Sequence, residues 1–118
     1  MKILPSYLSF NDKRGMFKGI VNSGDWQELN FIETVGGETR GNHYHKKTRE
    51  LFFIIAGDIE VSIRGASADS AEVYSFRKGD AFIVEPFEIH TFRCKTDAQW
   101  INMLSLKIDA KEPDIYQV

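Results

Sequence analysis

The sequence is poor in several features that would assign it to a large class at once. It has one cysteine, Cys94, so no disulfide can form within the chain, a pattern that suits a reducing compartment. Its longest uninterrupted apolar run, Leu51 to Ala56, falls far short of the roughly 20 residues that cross a bilayer. The opening residues Met1-Lys2-Ile3-Leu4-Pro5-Ser6 have no long apolar stretch and no small-residue cleavage site, so no signal peptide is expected. Basic excess is also missing. Fifteen Lys and Arg stand against 17 Asp and Glu, for a net charge of -2, which gives no support for a nucleic-acid partner. There is no internal repeat and no low-complexity tract, and no stretch of ten residues shows convincing helical apolar spacing. The expectation is a cytoplasmic protein with neither a membrane nor a nucleic-acid partner.

What is present is ordinary globular composition, 42% hydrophobic and 27% charged, in 118 residues. That length predicts one domain spanning 1–118. The dominant pattern is that of strands. Asp58 to Arg64 alternates polar and apolar strictly, which turns Ile59, Val61 and Ile63 to one face. Leu51 to Ile55 is continuously apolar, as in a strand covered on both faces. Gly57-Asp58 between the two runs is a turn signal and predicts a hairpin over Leu51 to Arg64. Further strands are expected at Met16 to Asn22, Glu28 to Val35, Glu72 to Phe76, Ala81 to Glu85, His90 to Cys94 and Gln99 to Leu106, with a loop at Gly65 to Ala71. Many short strands at regular spacing predict an all-β antiparallel barrel or sandwich.

All three histidines lie in two short segments. His43 and His45 are two residues apart, so on a strand their rings share a face roughly 7 Å apart. Tyr44 between them points the other way. Glu50 stands at an odd spacing and reaches that face only if Lys46 to Arg49 bend. His90 comes from a distant strand. Three imidazoles and one carboxylate form a donor set for one divalent transition metal, with Zn, Fe, Mn and Ni all compatible.

The spacing Gly37, five residues, His43, one residue, His45, four residues, Glu50, six residues, Gly57 resembles the first motif of the cupin superfamily. Gly79-Asp80 followed by His90 resembles the second. Here the second motif departs from its pattern: Pro86 is one place late, Phe87 and Glu88 stand where a glycine is usual, and Cys94 replaces an asparagine. The resemblance implies a small jelly-roll β-barrel, a metal held by His43, His45, Glu50 and His90, and a homodimer, with a strand from within Ile3 to Phe10 pairing with the partner. Asp12-Lys13-Arg14-Gly15-Met16-Phe17, Trp26 to Ile32 and Arg40 to Lys46 are similar to cupins of deoxysugar and capsular polysaccharide synthesis, among them dTDP-sugar epimerases and ketoisomerases.

That narrower resemblance implies an isomerase or epimerase of a nucleotide-linked keto-sugar. Its chemistry is removal of a proton next to a ketone and stabilisation of the enolate by a metal or a donor such as Arg40. His43 or His45 would act as base, with Tyr44 or Glu88 as alternatives when metal occupies both rings, because a metallated nitrogen takes no proton. Arg40, Lys46 and Glu88 are the candidate substrate contacts. Two alternatives stay open: another metal-cupin enzyme, such as an oxygenase of a small organic acid, and a non-catalytic cupin that binds a small molecule.

Overall fold

The alternation that marks Ile59, Val61 and Ile63 in the sequence is realised in a strand whose inner side chains are buried and whose outer ones are partly exposed. The computed structural model describes all of Met1–Val118. It contains twelve strands and no helix: β1 Lys2–Ile3, β2 Leu8–Asp12, β3 Gly15–Gly19, β4 Glu28–Thr34, β5 Thr39–Tyr44, β6 Glu50–Ala56, β7 Ile59–Gly65, β8 Glu72–Phe76, β9 Ala81–Val84, β10 Glu88–Cys94, β11 Ala98–Leu104 and β12 Tyr116–Gln117. No helix is long and apolar enough to cross a membrane. Every pairing is antiparallel. One sheet runs β1-β9-β6-β11-β4, the other β12-β5-β10-β7-β8, and β2-β3 form a separate hairpin. The two larger sheets face each other as a flattened barrel of the jelly-roll kind, the architecture expected from the sequence.

One expectation needs correction. Leu51 to Arg64 is not a hairpin, because β6 and β7 belong to different sheets. From β4 to β12 the chain changes sheet at every link except β7–β8. The turn at Gly57-Asp58 is therefore an arch over the barrel's end. It packs on the next arch, between β10 and β11: Asp58 N–H donates to Thr96 Oγ1 at 3.0 Å and Lys95 N–H to the Asp58 carbonyl at 2.9 Å. Gly57 adopts φ +92°, and a Cβ there would lie 2.3 Å from the Asp97 carbonyl oxygen. Only glycine fits both conditions. Crossing between sheets lets the apolar run of β6 pair on both edges, with β9 and β11.

The interior has two unlike ends. At one, Phe52, Phe76, Phe82, Phe92 and Trp100 pack ring against ring, with Phe76 and Phe82 centroids 4.3 Å apart and Phe92 and Trp100 5.3 Å apart. Cys94 is buried among them, and burial raises its thiol pKa, so it is an inert core residue. At the other end the lining turns polar, and the histidines gather there. Outside the barrel the β2–β3 hairpin leaves Leu8, Phe10, Met16 and Phe17 exposed. Its turn is the Asp12-Lys13-Arg14-Gly15 segment, closed by an Arg14–Asp12 ion pair at 2.6 Å.

Candidate metal centre

Two neighbouring strands carry two of the four predicted donors, His43 on β5 and His90 on β10. In the β5–β10 ladder His43 stands opposite His90, while Gly41 stands opposite Thr91, so Asn42 is an extra residue in β5. This bulge runs through left-handed backbone, φ 99° at Gly41 and 59° at Asn42. A Cβ on Gly41 would sit 2.5 Å from the His90 carbonyl oxygen. Glycine at 41 thus allows the close strand approach that sets the two rings 4.6 Å apart. The Arg-Gly-x-His segment has a physical reason in this contact.

His45 follows the end of β5 and Glu50 begins β6, with a bent loop over Lys46 to Arg49 between them, as the odd spacing required. A single residue from the end of the chain shapes that loop. The Asp114 carboxylate accepts the N–H groups of Lys46, Lys47 and Thr48, each at 2.9 Å, and the Thr48 hydroxyl at 2.9 Å. These bonds outweigh the effect of burial and hold the Asp114 carboxyl below the usual carboxylate range. The Asp114 carbonyl in turn accepts the His45 Nδ1–H at 2.5 Å. On the far side Asn102 of β11 donates its Nδ2–H to Glu50 Oε2 at 3.0 Å.

One donor atom from each of His43, His45, Glu50 and His90 lies within 4.8 Å of all the others. His45, Glu50 and His90 are buried and His43 is half-buried. Backbone carbonyls fix two of the rings: His90 Nδ1–H donates to the Glu88 carbonyl at 3.1 Å, as His45 does to Asp114. A carbonyl only accepts, so the proton sits on Nδ1 and the inward Nε2 carries a lone pair in the neutral ring. His45 Nε2 touches Glu50 Oε1, and His90 Nε2 lies 3.4 Å from the same oxygen. Two lone pairs facing each other in a buried site are satisfied only by a proton or a metal cation between them. The residues therefore fit a divalent transition metal, with the outer ring nitrogens anchored as such sites require.

The titration behaviour follows from burial and from these contacts. Burial, aided by the nearby His90 and His45, pushes the His43 imidazole down to about 4. Burial acts the same way on His45, but the Glu50 carboxylate against it outweighs this and raises its pKa. For Glu50 burial would raise the pKa, and the adjoining His45 and His90 more than cancel it, keeping the carboxyl ionised well below the usual range.

Two cavities meet at this cluster. One, of about 190 Å³, is lined by His43, His45, Glu50 and Asn102 and walled by residues that follow β11, including Leu106, Ile108 and Asp114. The second, of about 140 Å³, is lined by Arg40, His43, His90, Phe52 and Trp100. Arg40 borders it with its fork turned toward β4: Nε donates to Thr34 Oγ1 at 2.7 Å and Nη2 to the Glu33 carbonyl at 3.1 Å. The other candidates lie elsewhere. Tyr44 is on the outer face of the sheet, stacked between Tyr116 at 5.5 Å and Phe87 at 6.1 Å. Lys46 holds its ammonium 4.1 Å from the centre of the Tyr116 ring. The Glu88 side chain accepts the Glu85 N–H at 2.7 Å, and Glu88 meets the cluster only through the carbonyl that anchors His90.

The model of the polysaccharide biosynthesis C-terminal domain family matches residues 10–115. The chain belongs to that family. Comparison with curated proteins gives no match. Among solved structures, this polysaccharide biosynthesis domain is similar to CapF, a capsular polysaccharide assembling protein from Staphylococcus aureus. The TM-score is 0.74 at 23% identity, covering 94% of this chain and 34% of that one. The chain thus spans about a third of CapF's length. It is also similar to QdtA, a sugar 3,4-ketoisomerase from Thermoanaerobacterium thermosaccharolyticum solved with TDP, with a TM-score of 0.80 at 18% identity over 98% of this chain and 86% of that one. The WlaRB TDP-quinovose 3,4-ketoisomerase from Campylobacter jejuni gives 0.85 at 16% identity over 99% of this chain and 92% of that one. These likenesses establish the fold, and with the family match they bear out the resemblance read from the sequence motifs.

Two residues of the domain's site were not foreseen from its sequence, Asn102 and Asp114. Asn102 interrupts the apolar side of β11, where Trp100 and Leu104 also point inward and are buried. A polar residue at an inward position is a signal that pattern reading can find. Asp114 sits in an irregular stretch after Pro113, and nothing local marks it. Phe87 explains the missing glycine before His90: it takes up the left-handed turn itself, φ 65°, with its N–H donating to the His45 carbonyl at 2.7 Å.

Proposed function

We propose that the domain is an isomerase or epimerase acting on a nucleotide-linked keto-sugar in surface-polysaccharide biosynthesis, at a divalent transition metal held by His43, His45, Glu50 and His90. The observation that carries this reading is the meeting of four donor side chains at a cavity wall, with His45 Nε2 and Glu50 Oε1 buried in contact with each other. Family membership supports the pathway, and similarity to ketoisomerases, one solved with TDP-4-keto-6-deoxyglucose, supports the substrate class. When bound, the metal supplies Lewis acidity toward a ketone oxygen and the enolate derived from it.

The chain's own residues do the rest. Asn102 Oδ1 is buried beside both cavities without a partner, and serves as acceptor for a sugar hydroxyl. Arg40 lines the second cavity and would reach a phosphate there by turning its fork away from Thr34 and Glu33. His43 borders both cavities and is neutral at pH 7, so when its ring is free of metal it is the one placed to take a proton from substrate. A nitrogen that holds metal cannot do so, and for that reason metal content and proton exchange belong on one sample.

The test is elemental analysis of the purified protein, followed by NMR of dTDP-4-keto-6-deoxyglucose in deuterated water. Deuterium should enter next to the ketone, and His43→Asn should abolish its entry. No exchange with this or other nucleotide-linked keto-sugars sinks the isomerase reading. The proposed working form is a cytoplasmic homodimer of one domain, 1–118. Support comes from the lone buried cysteine and from the apolar side chains exposed on the β2–β3 hairpin and on β4, where Leu29 and Phe31 are also uncovered.

A further inference from the structure

After β11 the chain leaves one sheet, runs along the mouth of the larger cavity and joins the other sheet as β12. It is held there by hydrogen bonds more than by burial, since every residue from Leu106 to Pro113 is exposed. Ser105 is tied to Arg49 in both directions, N–H to carbonyl at 3.0 Å and Oγ from N–H at 2.8 Å. At its far end Tyr116 and Gln117 pair with Tyr44 and His43, so β12 lies on the strand that carries the first donor. Between these ends Asp114 makes five polar contacts, four through its carboxylate and one through its carbonyl, all to residues from His45 to Thr48. No other contact so directly fixes both the orientation of the His45 ring and the shape of the loop leading to Glu50.

We propose that Asp114 is a positioning residue for the His/Glu centre, and that docking of the strap Ser105–Gln117 and binding of a cation stabilise each other. The inference rests on the metal reading above. The strap brings the carbonyl that leaves His45 Nε2 facing inward and the carboxylate that gathers the loop from Lys46 to Thr48 ahead of Glu50. A cation held by His45 and Glu50 would tighten the loop that Asp114 holds. Linkage requires the converse: a displaced strap lowers cation affinity by the same factor by which cation binding favours the docked strap.

The experiment measures zinc and cobalt affinity by chelator competition on full-length wild type, Asp114→Ala, Asp114→Asn, Thr48→Val and His90→Ala, with amide hydrogen exchange on the metal-free and loaded forms. Outer residues that orient a ligand typically contribute about 10- to 100-fold in metal affinity, and Asp114→Ala should fall in that range. Asp114→Asn should lose less, because it keeps an acceptor oxygen, and Thr48→Val, which removes one of the four carboxylate contacts, should lose about threefold. Metal should slow exchange at Thr48 and Tyr116 in wild type and do so less in Asp114→Ala, a coupling that a merely stabilising residue would not produce. If Asp114→Ala fails to fold, Thr48→Val and the wild-type exchange data decide. Affinities equal to wild type in the Asp114 and Thr48 variants, alongside lost binding in His90→Ala, overturn this inference and leave the metal reading standing. No binding by wild type itself overturns both, and that result is seen before any variant is compared.

Discussion

Removing the metal should cost the protein a large and calculable share of its stability. Without a metal, the buried contact between His45 Nε2 and Glu50 Oε1 is met by a proton on the ring, which the Glu50 carboxylate favours, so a bound metal replaces that proton. The gain is then set by affinity: a ligand at a thousand times its dissociation constant adds about 4 kcal/mol to unfolding. Unfolding entropy for a chain of this length is about 0.25 kcal/mol/K, so 4 kcal/mol corresponds to a rise of about 16 °C in melting temperature. The assay is calorimetry on untagged protein, first stripped with chelator and then reloaded in turn with zinc, manganese, nickel and ferrous iron. At least one metal should restore the higher transition, and His90→Ala should narrow the gap between stripped and loaded forms. Stripped and loaded proteins melting within about 2 °C of each other for every metal would refute the reasoning, because no metal would then bind the folded protein tightly enough to stabilise it.

Other expectations concern the frame that holds the site. Gly57→Ala places a methyl group against the Asp97 carbonyl in left-handed backbone and should destabilise by about 2 kcal/mol or more, read from urea unfolding. Gly41→Ala meets the His90 carbonyl in the same way and should lower metal content as well as stability, whereas Gly57→Ala should spare metal content in the folded fraction. Phe82→Ala empties the centre of the aromatic cluster and should cost about 3–5 kcal/mol by the same measurement. Replacing Phe10 and Phe17 on the exposed hairpin with glutamate should convert a dimer to monomer by light scattering, with melting of the barrel little changed. A monomeric wild type would remove the hairpin from any such role.

The sequence by itself determined the class of fold and named the four side chains that the fold brings together. Period-two alternation says which side of each strand is buried, and that was enough to locate β4 and β6 to β11 within a few residues. The interval from His43 to Glu50 was legible because those donors are near neighbours along the chain, and the motif spacing singled out His90. Only the tertiary structure decided how the strands pair. Alternation encodes a face, not a partner, so a hairpin and an arch look alike at Gly57-Asp58 until the contact with the Lys95 to Asp97 turn is seen. For the same reason Asp114 was invisible: its contacts reach back 66 to 69 residues, and no local pattern records an interaction that exists only once the two sheets have closed around it.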